Sequence, residues 1–379
     1  MMIKLFFIAI FSSVLFGSEF QNYLKAHNDE FTKYQKDIDN DFATYKKAYD
    51  EAFKEYKSEI TKKWPTPEIS TNFKWVEYDR GYDSKKVIDY QKKLIGIEVI
   101  AKNSKEAEQK IGKIFDDLFT YDVNKGFLND ILEQKISKKL GYGREPLQSN
   151  EKLIGDMYKK DEQQSIKNTI VADKLKEVKF NNTLIYKMEI PFPPNALLVK
   201  AKLYKNTVKE QAKKQNLDEA LIYAIIENES SFNPLAKSNA PAFGLMQIVP
   251  QTAGVDSYYA IYGQKRLLTS EYLFEPTNNI LIGSTYLNIL YYTYLKDIKD
   301  PKNRLYCTIA SYNGGSGGVA SSFGAKSITQ ASNEINSLSS DELYKKLMED
   351  LSSNETKKYL FKVRKSFNEY VNNLKKGGL

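Results

Sequence analysis

The chain has 379 residues, enough for two domains or for one domain with an elaborated arm, and its 41% hydrophobic and 27% charged residues are those of a globular protein. A single histidine and a single cysteine argue against a zinc centre and against an internal disulfide framework. The formal charge of +8 suits an anionic partner, but the lysines are spread along the chain without a tight cluster, so no nucleic-acid site is expected.

In chain order, Lys4 precedes an apolar run from Leu5 to Phe16, and Gly17 and Ser18 supply small residues for cleavage. At about twelve residues the run is too short to span a membrane, and residues 1–18 are expected to be an export signal. From Phe20 to Trp64 aromatic and aliphatic residues recur every eleven positions. Phe20, Phe31, Phe42 and Phe53 form one column, Tyr23, Tyr34, Tyr45 and Tyr56 a second, and His27, Ile38, Tyr49 and Ile60 a third. The spacing of three, four and four is close to the pitch of an α-helix, and no proline or glycine interrupts it. Residues 19–64 therefore predict a long helix of roughly 65 Å. Its stripe needs a cover, which is either the rest of the chain or a second copy joined through residues 20–64; contact with a membrane surface or with sugars is left open. His27 is a core or edge residue of that stripe.

Pro65 and Pro67 end the helix, and a small α+β domain is expected from 65 to 194. Strands are predicted near Phe73–Val76, Val87–Gln91, Leu94–Ala101 and Lys187–Pro191. A helix capped by Ser104 runs to about Phe119, and a short one contains Phe127, Ile131 and Leu132. Nothing here forms a reactive constellation, so glycan positioning and plain structural support are both open. Pro191, Pro193 and Pro194 mark a joint, after which 195–379 reads as helical. Helices are predicted at Ala201–Lys214, at Leu217–Glu229 with Asn216 as cap, after Thr277 with Gly283 at a close helix crossing, at Arg304–Tyr312, at Asp341–Met348 and from Glu355 to about Leu374. Ser321–Ser340 reads as variable surface. Cys307, among Leu305, Tyr306 and Ile309, is a small buried hydrophobe.

The most informative stretch is Leu217–Ala253. Leu221, Ile222, Ile225 and Ile226 fall at helical spacing, and Glu229 continues that face four residues after Ile225. A carboxyl at the end of an apolar face points into packed interior or a cleft. Glu227 faces elsewhere and reads as solvated. Asn233–Pro234 stops the helix, and Gly244–Gln247 opens a second apolar segment.

The run Glu229-Ser230-Ser231-Phe232-Asn233-Pro234, followed by Ala236, Ser238, Gly244-Leu245-Met246-Gln247, Pro250 and Thr252-Ala253, resembles the catalytic signature of lytic transglycosylases, which cut peptidoglycan glycan strands. The chain looks most like the type C group of murein transglycosylases, which carry an extra N-terminal domain. That resemblance covers about residues 65–375 and implies an α+β, mainly helical architecture: a goose-lysozyme-like all-α catalytic domain preceded by a small α+β domain and the long helix. It implies Glu229 as the sole catalytic acid and base, which protonates the MurNAc–GlcNAc oxygen and then takes a proton from the MurNAc C6 hydroxyl, giving 1,6-anhydromuramic acid. No metal or organic cofactor is implied. Ser230, Met246, Gln247, Tyr312, Asn313 and Tyr359 take substrate-binding roles by the same resemblance. Gly244 lets backbone approach sugar, Met246 offers an apolar surface, Asn313 orients an N-acetyl group, and the Tyr359 hydroxyl reaches the glutamate or the sugar. Ser311 departs from the alanine many relatives carry. Relatives often have a lipid-bearing cysteine after the signal; Cys307 is the only cysteine, so a periplasmic protein, soluble or loosely membrane-held, is expected.

For the proton cycle Glu229 must rest protonated, and the apolar face around it is expected to raise its pKa. A hydrolytic muramidase needs a helper carboxylate that the sequence does not mark. A non-catalytic peptidoglycan-binding scaffold is disfavoured by the intact Glu229.

Overall fold

The computed structural model describes residues 36–238 and 241–379. The export signal, His27 and the first columns of the stripe lie outside them. Helix α1 occupies 36–61, and Trp64 closes it by donating from Nε1 to the Tyr82 carbonyl over 2.9 Å.

Five antiparallel strands follow: β1 (Lys74–Tyr78), β2 (Ser84–Asp89), β3 (Leu94–Ile100), β4 (Lys176–Phe180) and β5 (Thr183–Pro191), in the spatial order β1-β2-β3-β5-β4. The register pairs Trp75 with Ile88 and Ile95 with Ile190. Alternation along β3 sends Ile95, Ile97 and Val99 to one face, where they meet Ala107, Ile111, Phe115 and Leu118 of α2 (Ser104–Leu118). Val76, Tyr78, Val87 and Ile185 point to the other face. There Ala52, Tyr56 and Ile60 of α1, with Trp64, cover them, beside Leu132 and Ile136 of α4 (Ile131–Leu140). From Ala52 to Trp64 the stripe is thus covered by the chain's own sheet and α4. Farther up α1, the Tyr45 ring meets Phe243 edge-on at 6.3 Å, so the helix reaches the edge of the candidate site.

Several boundaries differ from expectation. Asn103, not Ser104, caps α2, accepting from Glu106 N at 2.9 Å. The region of Phe127 holds two helices, α3 (Val123–Leu128) and α4, because Asp130 caps a new start. Strand β4 was not foreseen: KEVKF is mostly exposed and lacks an apolar face to mark it.

The remainder is helical: α5 (Lys160–Lys167) lies within the sheet region, and then come α6 (Ala196–Leu203), α7 (Lys205–Gln215), α8 (Glu219–Ser230), α9 (Val255–Tyr262), α10 (Ser270–Phe274), α11 (Pro276–Asn288), α12 (Pro301–Ser321), α13 (Ile328–Ser337), α14 (Ser340–Asp350) and α15 (Asn354–Lys375). The single helix expected at 201–214 is two, broken at Tyr204, whose hydroxyl binds both Glu151 carboxylate oxygens at 2.7 Å. Asn216 does not cap α8. It takes the left-handed conformation that ends α7, and Asp218 caps α8 by accepting from Ala220 N at 2.8 Å. Thr277 lies inside α11, whose first turn is set by Pro276. Helix α12 does not stop at Tyr312 but runs on to Ser321 with a break at Gly315. The serine-rich stretch contains α13, which buries Ile328, Ala331 and Ile335. Among the described residues no helix is long and apolar enough to cross a membrane. Cys307 is buried, as expected, and burial pushes its thiol up to about 12.

Candidate active site

Helix α8 is buried almost all round: every residue from Ala220 to Ile226 is in the core. Its last turn presents Glu229, and the chain then leaves through two non-glycine residues with positive φ, Ser231 at 50° and Phe232 at 62°. Such a pair costs about 1–3 kcal/mol each and persists only where the surroundings enforce it. Here they do. Ser231 N donates to Glu227 O at 2.9 Å, Asn233 N donates to Ser230 O at 3.1 Å, and the buried Phe232 ring stacks on Tyr204 at 6.1 Å. The loop before β1 adds a clasp: Asn72 Nδ2 donates to the Glu229 carbonyl at 3.0 Å, and Asn233 Nδ2 donates to the Asn72 carbonyl at 3.2 Å. The sheet region therefore holds the backbone of the candidate acid itself.

The Glu229 carboxyl is pushed up to about 7, first by burial; the Tyr359 hydroxyl opposes the rise and the Glu355 carboxylate adds to it. Tyr359 is itself buried and turned toward Glu229, with geometry short of a regular hydrogen bond and no other partner among the described residues. Tyr312 also feels Glu229, and its phenol is held protonated by burial. Glu227 is not the solvated residue expected. It is half-buried, its carboxyl is raised by burial, and the Tyr370 hydroxyl bonds it.

The opposite wall is the turn 243–248. Phe243 and Ile248 exchange backbone hydrogen bonds at 3.1 and 3.0 Å, so the apolar segment that Gly244–Gln247 opens begins as a tight turn. Gly244 has φ 76°, and a Cβ there would collide with the Asn279 amide and the Leu273 carbonyl. The close approach is to protein, not to sugar. Asn279, fully buried on α11, organises the turn. Its Nδ2 donates to Phe243 O and Leu273 O at 2.8 Å each, and its Oδ1 accepts from Met246 N at 2.7 Å.

The structure separates the expected site residues into two groups. Glu229, Tyr312 and Tyr359 lie within electrostatic reach of one another. Gln247 is half-exposed beside them, with φ 48° and Nε2 donating to Gly244 O at 3.1 Å. Asn313 is half-exposed and accepts from Thr356 Oγ1 at 2.8 Å. Ser230 and Met246 belong to the interior, which corrects their substrate-binding roles. The Ser230 hydroxyl is fully buried and bonds Leu245 O at 2.8 Å, tying α8 to the turn. The Met246 side chain is fully buried against Gly283, where a Cβ would strike its sulfur and methyl. The close contact expected at Gly283 is thus with that side chain and not with another helix.

Sequence reasoning missed Asn72, Asn279 as the organiser of the turn, and Glu355. Asn279 left a faint signal, an amide directly before the apolar run Ile280–Ile282 of α11. Asn72 left none.

Residues 206–335 match the family described as the transglycosylase SLT domain. The chain is 41% identical over 192 residues to the membrane-bound lytic murein transglycosylase C of Klebsiella pneumoniae, covering 50% of this chain and 53% of that protein. It is 40% identical over 187 residues to the protein of the same name from Salmonella arizonae, covering 49% and 51%. The chain spans about half the length of the curated relatives it matches. The solved 70 kDa soluble lytic transglycosylase Slt70 of Escherichia coli aligns with 44% of this chain and 24% of its own at 24% identity, with a TM-score of 0.34.

Proposed function

We propose, on the premise that the chain belongs to the lytic murein transglycosylases through its SLT domain at residues 206–335, that it cleaves the MurNAc–GlcNAc bond of peptidoglycan with Glu229 as the sole acid and base. The observation that carries this proposal is the Glu229 carboxyl, raised to about 7 by burial and faced by Tyr359 and Tyr312. Such a carboxyl is protonated in a large fraction of molecules near neutrality.

The cycle balances within two partners. The Glu229 O–H proton passes to the glycosidic oxygen as the bond from that oxygen to MurNAc C1 breaks. The new carboxylate takes the proton of the MurNAc C6 hydroxyl as O6 bonds to C1. The product is 1,6-anhydromuramic acid, water is not consumed, and Glu229 returns to its starting state. A nucleophile within the same sugar has a high effective concentration, which removes the need for a second, water-activating acid. Gln247 and Asn313 contact sugar substituents at the half-exposed edges of the cleft, and Tyr312 and Tyr359 fix Glu229 and the ring above it.

We read residues 1–18 as an export signal, 19–64 as the long helix, 65–194 as the α+β domain and 195–379 as the catalytic domain. Glycan strands in the periplasm are the partner, and no cofactor enters the cycle.

Hydrolysis is the second reading, because the exposed Glu355 carboxylate acts on Glu229 from the first turn of α15 and supplies a base that takes a proton from an attacking water. Mass spectrometry of sacculi digested with the protein separates the two. Anhydromuropeptides, lighter by one water, support the first, and reducing-end muramic acid alone supports the second. Glu229→Gln is expected to bind strands and release nothing; release at the parent rate removes both readings.

A further inference from the structure

We propose that a pocket beside Glu229, walled by Asn228, Lys362 and Phe73, holds the acidic stem peptide that a peptidoglycan strand carries on its muramic acid. It rests on the reading of Glu229 as the acid that cuts such strands. Three parts of the fold meet round a cavity of about 250 Å³. Helix α8 supplies Glu227 and Asn228 from its last turn, the sheet region supplies Phe73 and Gln91, and α15 supplies Lys362 and Lys365. The α15 wall continues from the active site: Lys362 follows Tyr359 by three residues, on the same face and one turn farther along. Asn228 immediately precedes Glu229 on α8. The pocket and the acid are thus built on one pair of helices.

Folding leaves three groups of this pocket without a partner. Asn228 Nδ2 donates to Ala224 O at 2.8 Å and to Ser366 Oγ at 3.1 Å, but among the described residues nothing donates to its Oδ1. Lys362 is exposed and forms no ion pair among the described residues, whereas Lys365 stands 3.9 Å from Glu369. Phe73 is half-buried yet belongs to neither apolar core, and among the described residues no other ring packs on it. Glu227 is already bonded by the Tyr370 hydroxyl. What is left to a ligand is a cation, an amide carbonyl and a ring face. An extended acidic peptide meets each of them: its carboxylate takes the Lys362 ammonium, a backbone N–H donates to Asn228 Oδ1, and an aliphatic side chain covers Phe73. Reach separates the peptide from the lactyl group that bears it. A lactyl carboxylate stays against its own sugar, while three residues of extended peptide span about 10 Å, more than a turn of α15.

The test uses the full chain carrying Glu229→Gln, so that strands stay whole. Calorimetric titrations compare a peptidoglycan tetrasaccharide that bears its stem peptides with the same tetrasaccharide after the peptides are removed. The peptide-bearing form is expected to bind about tenfold more tightly, the scale of one charge-assisted contact at a partly exposed site. Lys362→Met and Phe73→Ala each remove most of that preference, and Lys362→Arg, which keeps the charge, retains it. Lys375→Met takes the same charge from the exposed far end of α15 and leaves the preference unchanged. Lys362 and Lys375 are both exposed, so their variants report on binding and not on folding. Equal affinity for the two forms, or a preference that survives both Lys362→Met and Phe73→Ala, overturns the pocket and leaves the proposed reaction standing. A loss as large in Lys375→Met as in Lys362→Met also overturns it, because overall charge then accounts for the preference. If the Glu229→Gln chain binds neither form and the parent releases nothing from sacculi, the proposed reaction falls and the pocket with it.

Discussion

The Tyr312 hydroxyl donates to the Met246 backbone carbonyl at 2.9 Å, while the amide of the same residue is held by Asn279. Both polar groups of one turn residue are thus taken by side chains from two helices. The turn cannot shift without breaking one of them, and the Tyr312 ring is fixed beside Glu229. Tyr312→Phe is expected to cost about 1 kcal/mol of stability, one buried hydrogen bond. The larger effect is expected on turnover: about tenfold slower release from sacculi, as the ring and turn lose register. Urea melts and product release measure the two; an unchanged rate would mean that the tie is only structural.

The raised Glu229 carboxyl fixes the direction of the pH response. The acid acts only while protonated, so release should fall as pH rises through about 7, approaching tenfold per unit above it. Stability follows the same sign. The folded pKa lies above the unfolded value of about 4.3, so the folded chain binds the extra proton between those values and loses stability as pH rises between them. The loss is at most of the order of 4 kcal/mol. Glu229→Gln removes this slope, so its denaturation midpoint should exceed that of the parent at pH 8 and match it at pH 4. A parent midpoint that rises from pH 5 to 8 relative to the variant would contradict the burial of this carboxyl.

Lys237, in the loop between Asn233 and Phe243, is buried with Nζ at 2.6 Å from Asp130 and 3.4 Å from Glu133, and so pins that loop to α4. Burial raises Glu133, and Lys237 opposes the rise. Lys237→Met strands both carboxyls and is expected to cost about 3–5 kcal/mol. Adding Asp130→Asn and Glu133→Gln should restore part of that loss. If the triple variant is no more stable than Lys237→Met, the loss lies in packing and not in charge.

Gly283→Ala sets helix propensity against packing. Alanine favours the helix by about 1 kcal/mol, but its Cβ meets the Met246 sulfur and methyl, and overpacking costs about 1–3 kcal/mol. A net destabilisation near 1 kcal/mol is expected in a urea melt, with a displaced turn and slower release. A stabilised variant would show that Met246 has room to move.

The sequence alone settled what depends on short-range pattern. The α1 stripe follows from an eleven-residue period, its end from Pro65 and Pro67, and the place of Glu229 from its position four residues after Ile225. Each is decided by neighbours within one or two turns. Tertiary structure decided which side chains face the cleft. Ser230 and Met246 stand in the same signature as Glu229, yet they turn inward because the chain leaves α8 through two left-handed residues and re-enters a turn clamped by Asn279. No spacing rule carries that direction. The Asn72 clasp on Glu229 and the approach of Glu355 join residues more than a hundred positions apart, and only packing brings such groups together.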